Sequence, residues 1–176
     1  MGIPKLVIFP FLASVVITSA QAESDGFPDS DVYVGVSAGK SDFSDACDNI
    51  SSCDDTDSAR KIFGGIHNKN FGFEAGYVNF GEPSAPNLDT DDVWGAQMHG
   101  VGILPIPKYF SGFAKVGGLF YEGDEIDGDI TWALGVGAQF NFNDIFSLRA
   151  EYEWFNDIDY LGDTSLISAG VVLVFD

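Results

Sequence analysis

From residue 31 onward the chain alternates between apolar and polar or small positions with a period of two, the signature of strands with one greasy and one polar face. In 130–142, Ile130, Trp132, Leu134, Val136, Ala138, Phe140 and Phe142 fall on one side, and Thr131, Ala133, Gly135, Gly137, Gln139 and Asn141 on the other. The following segment sets Phe146, Leu148, Ala150, Tyr152 and Trp154 against Ser147, Arg149, Glu151 and Glu153. A helix would scatter both sets. The same alternation predicts eight strands, at residues 31–40, 59–67, 70–80, 93–104, 109–121, 130–142, 146–155 and 166–175. The second strand does not divide cleanly, because Lys61, Phe63 and His67 share one parity and Ile62 and Ile66 the other.

The strand lengths match the roughly 9–11 residues of a tilted membrane-crossing strand. Short turns are expected at Asn68-Lys69, Pro105-Ile106-Pro107-Lys108 and Asn143-Asp144, with longer acidic loops after strands one, three, five and seven. That asymmetry fits a barrel with short periplasmic turns and long outer loops. The parity decides between a membrane barrel and a soluble one. Glycines and the few charges share one face while aromatics fill the other, so the bulky face meets hydrocarbon and the polar face lines a lumen. Closure into a barrel also leaves no strand edge unpaired in lipid. The expected fold is therefore all-β, an eight-stranded antiparallel up-and-down transmembrane β-barrel.

Residues 1–22 break the pattern. Lys5 precedes an apolar run that ends at Thr18 and Ser19, and Ala20-Gln21-Ala22 offers small residues for cleavage, so a signal peptide is expected over 1–22 and the barrel domain over 23–176. Pro10 and the shortness of the run argue against a spanning helix.

The whole chain has a formal charge of −19, with 8 Lys and Arg against 27 Asp and Glu, which excludes nucleic acid as a partner. The acids crowd into residues 42–57, 82–92, 122–129 and 157–163, the expected outer loops. Cys47 and Cys53 lie in the first of these, and in an exported protein a local disulfide is expected there. The segment from Glu122 to Asp129 lacks the spacing of an EF-hand loop, so weak divalent-cation contact is the most the acidic loops imply, and no metal site or cofactor is expected.

Catalysis is not expected either. A lipid-modifying barrel enzyme needs a His beside a Ser or carboxylate at the outer rim, whereas His67 abuts a turn and His99 lies in the inner half of a descending strand. With the glycine-bearing parity facing the lumen, Glu74, Gln97, His99, Lys115, Gln139, Arg149 and Glu151 point inward, and Glu153 lies nearer the outer end. Ions enclosed in a narrow barrel must be paired, and the planar fork of Arg149 suits a hub between Glu74 and Glu151.

Phe71-Gly72-Phe73-Glu74-Ala75-Gly76-Tyr77, Lys115-Val116-Gly117-Gly118 and Leu148-Arg149-Ala150-Glu151-Tyr152-Glu153-Trp154 resemble, in order, motifs of the OmpA-like transmembrane domain. The resemblance implies an internal network of carboxylates and basic groups, with Glu74, Lys115 and Arg149 at matching motif positions and Gln139 standing where the family carries a glutamate. Ser168, Gly170, Leu173 and Phe175 fit the family's C-terminal signal for the outer-membrane assembly machinery, although Asp176 follows the final aromatic. Longer relatives carry a periplasmic peptidoglycan-binding domain; this chain stops at its eighth strand, and no such tether is expected through it. The implied role is that of a structural or surface-interaction component of the bacterial outer membrane, in contact with outer-membrane lipid and lipopolysaccharide. The alternative is a narrow, gated solute or ion pathway. A general pore is not expected, because eight strands enclose only enough space for their own side chains.

Overall fold

The computed structural model of the protein describes residues 30–43, 56–81, 93–106, 109–123, 126–158 and 162–175. The expected signal peptide, the Cys47–Cys53 bridge and much of the acidic sequence lie outside the described residues. Eight strands run in chain order: β1 (Asp31–Phe43), β2 (Thr56–His67), β3 (Phe71–Gly81), β4 (Val93–Ile106), β5 (Phe110–Gly123), β6 (Ile126–Asn141), β7 (Phe146–Ile158) and β8 (Gly162–Phe175). Each pairs antiparallel with its neighbours, and β8 returns to β1 from Val32↔Phe175 to Phe43↔Thr164, closing the barrel. Every strand thus has two partners, the condition for holding backbone N–H and C=O groups in hydrocarbon.

Alternation sends the bulky apolar residues outward. Trp132 is 70% exposed, Phe71 71% and Leu104 68%, in the company of Val34, Ile62, Val116 and Val136. A continuous apolar coat of this kind would drive aggregation in water and is the correct surface in a bilayer. Near the turn end, Tyr109, Phe110, Phe140, Phe142 and Phe146 contact one another in series with ring centroids 4.8 to 6.2 Å apart; toward the loop end Tyr77 stacks on Trp94 at 5.4 Å.

Two of the expected turns use the same device. The Asn68 side-chain oxygen accepts from the backbone N–H groups of Asn70 and Phe71, and that of Asn143 accepts from Ile145 and Phe146, at 2.7 to 3.0 Å. A short polar side chain so satisfies the donors that the reversing chain leaves unpaired. In the third, Pro105 and Ile106 still belong to β4, paired with Ser111 and Phe110.

The loop ends correct two expectations. The ladders run past the predicted limits: β1 continues to Phe43, β2 begins at Thr56, and β5 and β6 stay paired up to Gly123↔Ile126. Only two residues separate β5 from β6, and only 159–161 separate β7 from β8, so neither connection is a long loop. Backbone pairing needs no apolar side chain, and acidic residues can alternate along a ladder that has risen clear of the membrane. Hydrophobicity ends before the ladders do, so strands bounded by apolar periodicity come out shorter than those formed.

The second correction concerns the lumen. Large apolar side chains do point inward in the loop-end third, where Phe43, Phe80, Leu119, Tyr121, Phe155, Ile158 and Leu166 form one buried cluster with Ala59, Val78 and Ala133. Phe80 meets Phe155 edge-on at 5.1 Å. Below that level the inward face mixes ions and small residues with a second buried group, Tyr33, Phe63 and Val172, and with Phe113.

Candidate functional site

The lumen is layered. Beneath the apolar cluster lie three basic side chains, Lys61, Lys115 and Arg149, and three carboxylates, Glu74, Glu151 and Glu153, all buried. β7 supplies three of the six, because Arg149, Glu151 and Glu153 recur every second residue and so share the inner face. β2, β3 and β5 contribute Lys61, Glu74 and Lys115.

Arg149 lies between two carboxylates, Nη1 donating to Glu74 Oε2 at 2.6 Å while Nε and Nη2 reach Glu151 Oε2 at 3.1 and 2.9 Å. Its guanidinium sits 4.0 Å from the Phe113 ring centroid and 4.7 Å from that of Phe63, a geometry that holds the planar group flat. Lys115 Nζ touches all three acids, Glu153 at 2.5 Å, Glu151 at 3.2 Å and Glu74 at 3.3 Å. Lys61 Nζ donates to Glu153 at 2.6 Å and also pairs with Glu151. The Tyr33 hydroxyl donates to Glu74 Oε2 at 3.0 Å. Three positive and three negative groups cancel, and each ion has partners of the opposite sign, which offsets the cost of taking it out of water.

Glycines on β6 make room for this layer. A Cβ at Gly135 would lie 2.6 Å from Lys115 Cε, and one at Gly137 would lie 2.7 Å from Phe113 Cε1, so neither side chain could keep its place over a larger residue.

Of the residues expected inside, Glu74, Lys115, Arg149 and Glu151 come together. Gln97 and His99 are buried in the adjoining wall, His99 paired in register with Glu74, and their side chains make no hydrogen bond among the described residues. Gln139 stands apart, bonded to Asn141 at 2.9 Å nearer the turn end. Lys61 was missed because its strand divides ambiguously. The outward apolar pair Ile62 and Ile66 is the signal that would have placed Lys61 inside. Tyr33 was missed as one more aromatic in a chain rich in them. On β8 Ser168 is buried, while Leu173 and Phe175 are exposed outward and Gly170 pairs with Ser37 and Arg149. His67 lies at the turn end, its Nδ1 3.1 Å from the Asn68 carbonyl oxygen.

Below the ion layer a cavity of about 490 Å³ reaches the turn end, lined by Tyr33, His67, Ser111, Gln139, Asn141 and Arg149 among others. From turn end to loop end the barrel thus holds a vestibule of mixed polar and apolar lining, a neutral ionic layer and an apolar plug.

With this architecture, the profile of the OmpA-like transmembrane domain matches residues 28–176. The chain belongs to that family. It is a bacterial outer-membrane β-barrel. Among solved structures it is similar to Ail, the attachment invasion locus protein of Yersinia pestis, at 15% identity and a TM-score of 0.59, over 84% of this chain and 99% of that one. The Neisserial surface protein A aligns at 16% identity and 0.55, over 83% and 97%. The N-terminal β-barrel domain of Pseudomonas aeruginosa OprF aligns at 11% and 0.59, over 82% and 97%. Identities this low establish the shared fold. No curated protein sequence matches the chain.

Proposed function

We propose that this member of the OmpA-like family is a non-conducting structural and surface-interaction component of the outer membrane, a rigid barrel that presents acidic outer segments. The observation that carries the reading is the filled lumen: apolar side chains from seven strands meet above a neutral ionic layer, and Gly95 of the remaining strand lies under Leu119. An ion crossing that plug would shed its hydration for little in return, since the inward hydroxyls of Ser41 and Thr131 there already donate to the Phe80 and Asn156 carbonyls. In this reading the acidic segments form the outer surface, so partners with basic patches fit it. Ail has been solved with the heparin analogue sucrose octasulfate, whereas a chain with a formal charge of −19 repels such a polyanion. In this reading Ser168, Gly170, Leu173 and Phe175 serve delivery to the assembly machinery.

Planar-bilayer recording tests it. The purified mature protein is expected to show no steady conductance, and Phe80→Ala combined with Phe155→Ala, which empties the centre of the plug, is expected to leak. Reproducible openings of the unaltered protein would instead support a gated pathway, for which the vestibule is the favouring feature.

A further inference from the structure

Three of the six basic residues among those described belong to the ion layer, and Lys69 lies in a turn. The other two, Lys40 on β1 and Arg60 on β2, point out of the barrel and are exposed. The register pairs Ala38 with Arg60 and Lys40 with Ser58, so the two cations are diagonal neighbours on one outward face. Neither makes an ion pair among the described residues. Lys40 lies eight residues along β1 from Val32, the first outward apolar position. At about 3.3 Å per residue and a tilt of roughly 40°, it stands on the order of 20 Å up an apolar belt about 25 Å tall, at the loop-end boundary.

Directly beneath is a groove of about 550 Å³ on the same face. Its floor is the Ala38↔Ala169 pair, its walls are Val36, Ile62, Tyr77 and Val171, and Arg60 itself lines its edge. Small residues between larger ones make a furrow on the lipid face, with Arg60 at its edge. In hydrocarbon such a furrow is filled by lipid, and two cations without an ion pair among the described residues stand at its outer end, where they favour an anionic headgroup.

We propose that this groove is a docking site for a phosphorylated glycolipid of the outer leaflet, the lipid A class, with a phosphate held by Arg60 and Lys40 and an acyl chain lying over Ala38 and Ala169. Charge complementarity decides the occupant. The protein as a whole is strongly acidic and repels anionic lipid; on this face Lys40 and Arg60 flank the groove end and one acid, Asp42, follows two residues further toward the loops, so the groove end itself keeps a net positive charge. Arg60 can meet two phosphate oxygens at once through its fork, and the Lys40 stem is long enough to bring its charge alongside. This deepens the outer-membrane anchor reading and rests on its loops-outward orientation.

The test uses the folded mature protein in non-ionic detergent, with bisphosphorylated lipid A as the probe and retention read by native mass spectrometry. Dephosphorylated lipid A and phosphatidylglycerol serve as comparison arms. The unaltered protein is expected to keep one bisphosphorylated molecule. Lys40→Gln with Arg60→Gln is expected to weaken retention by on the order of tenfold through loss of charge-assisted contacts. Ala169→Leu, which fills the furrow and leaves both charges, is expected to weaken it too. Heat-dependent gel migration verifies that each variant is a folded barrel. No retention, retention unchanged in either variant, or equal retention of dephosphorylated lipid A or phosphatidylglycerol overturns the proposal. Failure of the non-conducting reading would appear separately, as openings in planar bilayers with lipid retention unaltered.

Discussion

Removing the Arg149 charge should expose how strongly the ion layer is coupled. Arg149→Met keeps an unbranched stem between Phe63 and Phe113 but leaves three buried carboxylates facing two cations. Glu74 would retain Tyr33 at 3.0 Å and Lys115 at 3.3 Å, while Glu151 would retain the two lysines. Losing one member of a buried, paired set costs about 3–5 kcal/mol, and the remaining partners place the expected value at the lower end of that range. Glu74→Gln leaves the opposite excess and should cost a similar amount. In the double variant the layer is again neutral, with two cations and two carboxylates, so its loss should fall short of the sum of the singles by about 0.5–3 kcal/mol. Urea unfolding in detergent or lipid, followed by tryptophan fluorescence and by the gel shift of the folded barrel, measures all three. Additivity within about 0.5 kcal/mol would refute the coupling, since independent sites add within that margin. It would mean that the two groups are separately solvated in the lumen.

Lys61→Met should destabilise the barrel by about 3–5 kcal/mol, because Glu153 and Glu151 each lose a cation, whereas outward Lys40→Met should stay within about 0.5 kcal/mol; equal effects in urea titrations would contradict the inward placement of Lys61. Val136 faces out, five residues from the turn end of β6, and Val136→Arg should cost about 2–4 kcal/mol in bilayer refolding experiments. A negligible cost would contradict lipid contact at that depth.

Periodicity determined the strand number and the face turned to lipid on seven strands, because a period of two leaves no other way to segregate Trp132 and Leu134 from Gly135 and Gly137, and the short turns alternating with acidic segments gave the up-and-down order. The inward parity of Glu74, Lys115, Arg149 and Glu151 was legible for the same reason. Parity says which side a residue faces and nothing about height along the barrel axis or the neighbour across the lumen. Height and register are properties of the closed sheet, and they decided that Gln139 bonds Asn141 below the ion layer and that Lys61 bonds Glu153 across 92 positions of sequence. They also brought Phe43, Phe80 and Phe155 together as a plug, although in sequence Phe43 falls in the first acidic segment and Phe80 and Phe155 at the ends of predicted strands. The ladders beyond the apolar belt were hidden for a different reason: backbone hydrogen bonding continues wherever two strands stay paired, and it leaves no mark in the side-chain polarity from which strands are read.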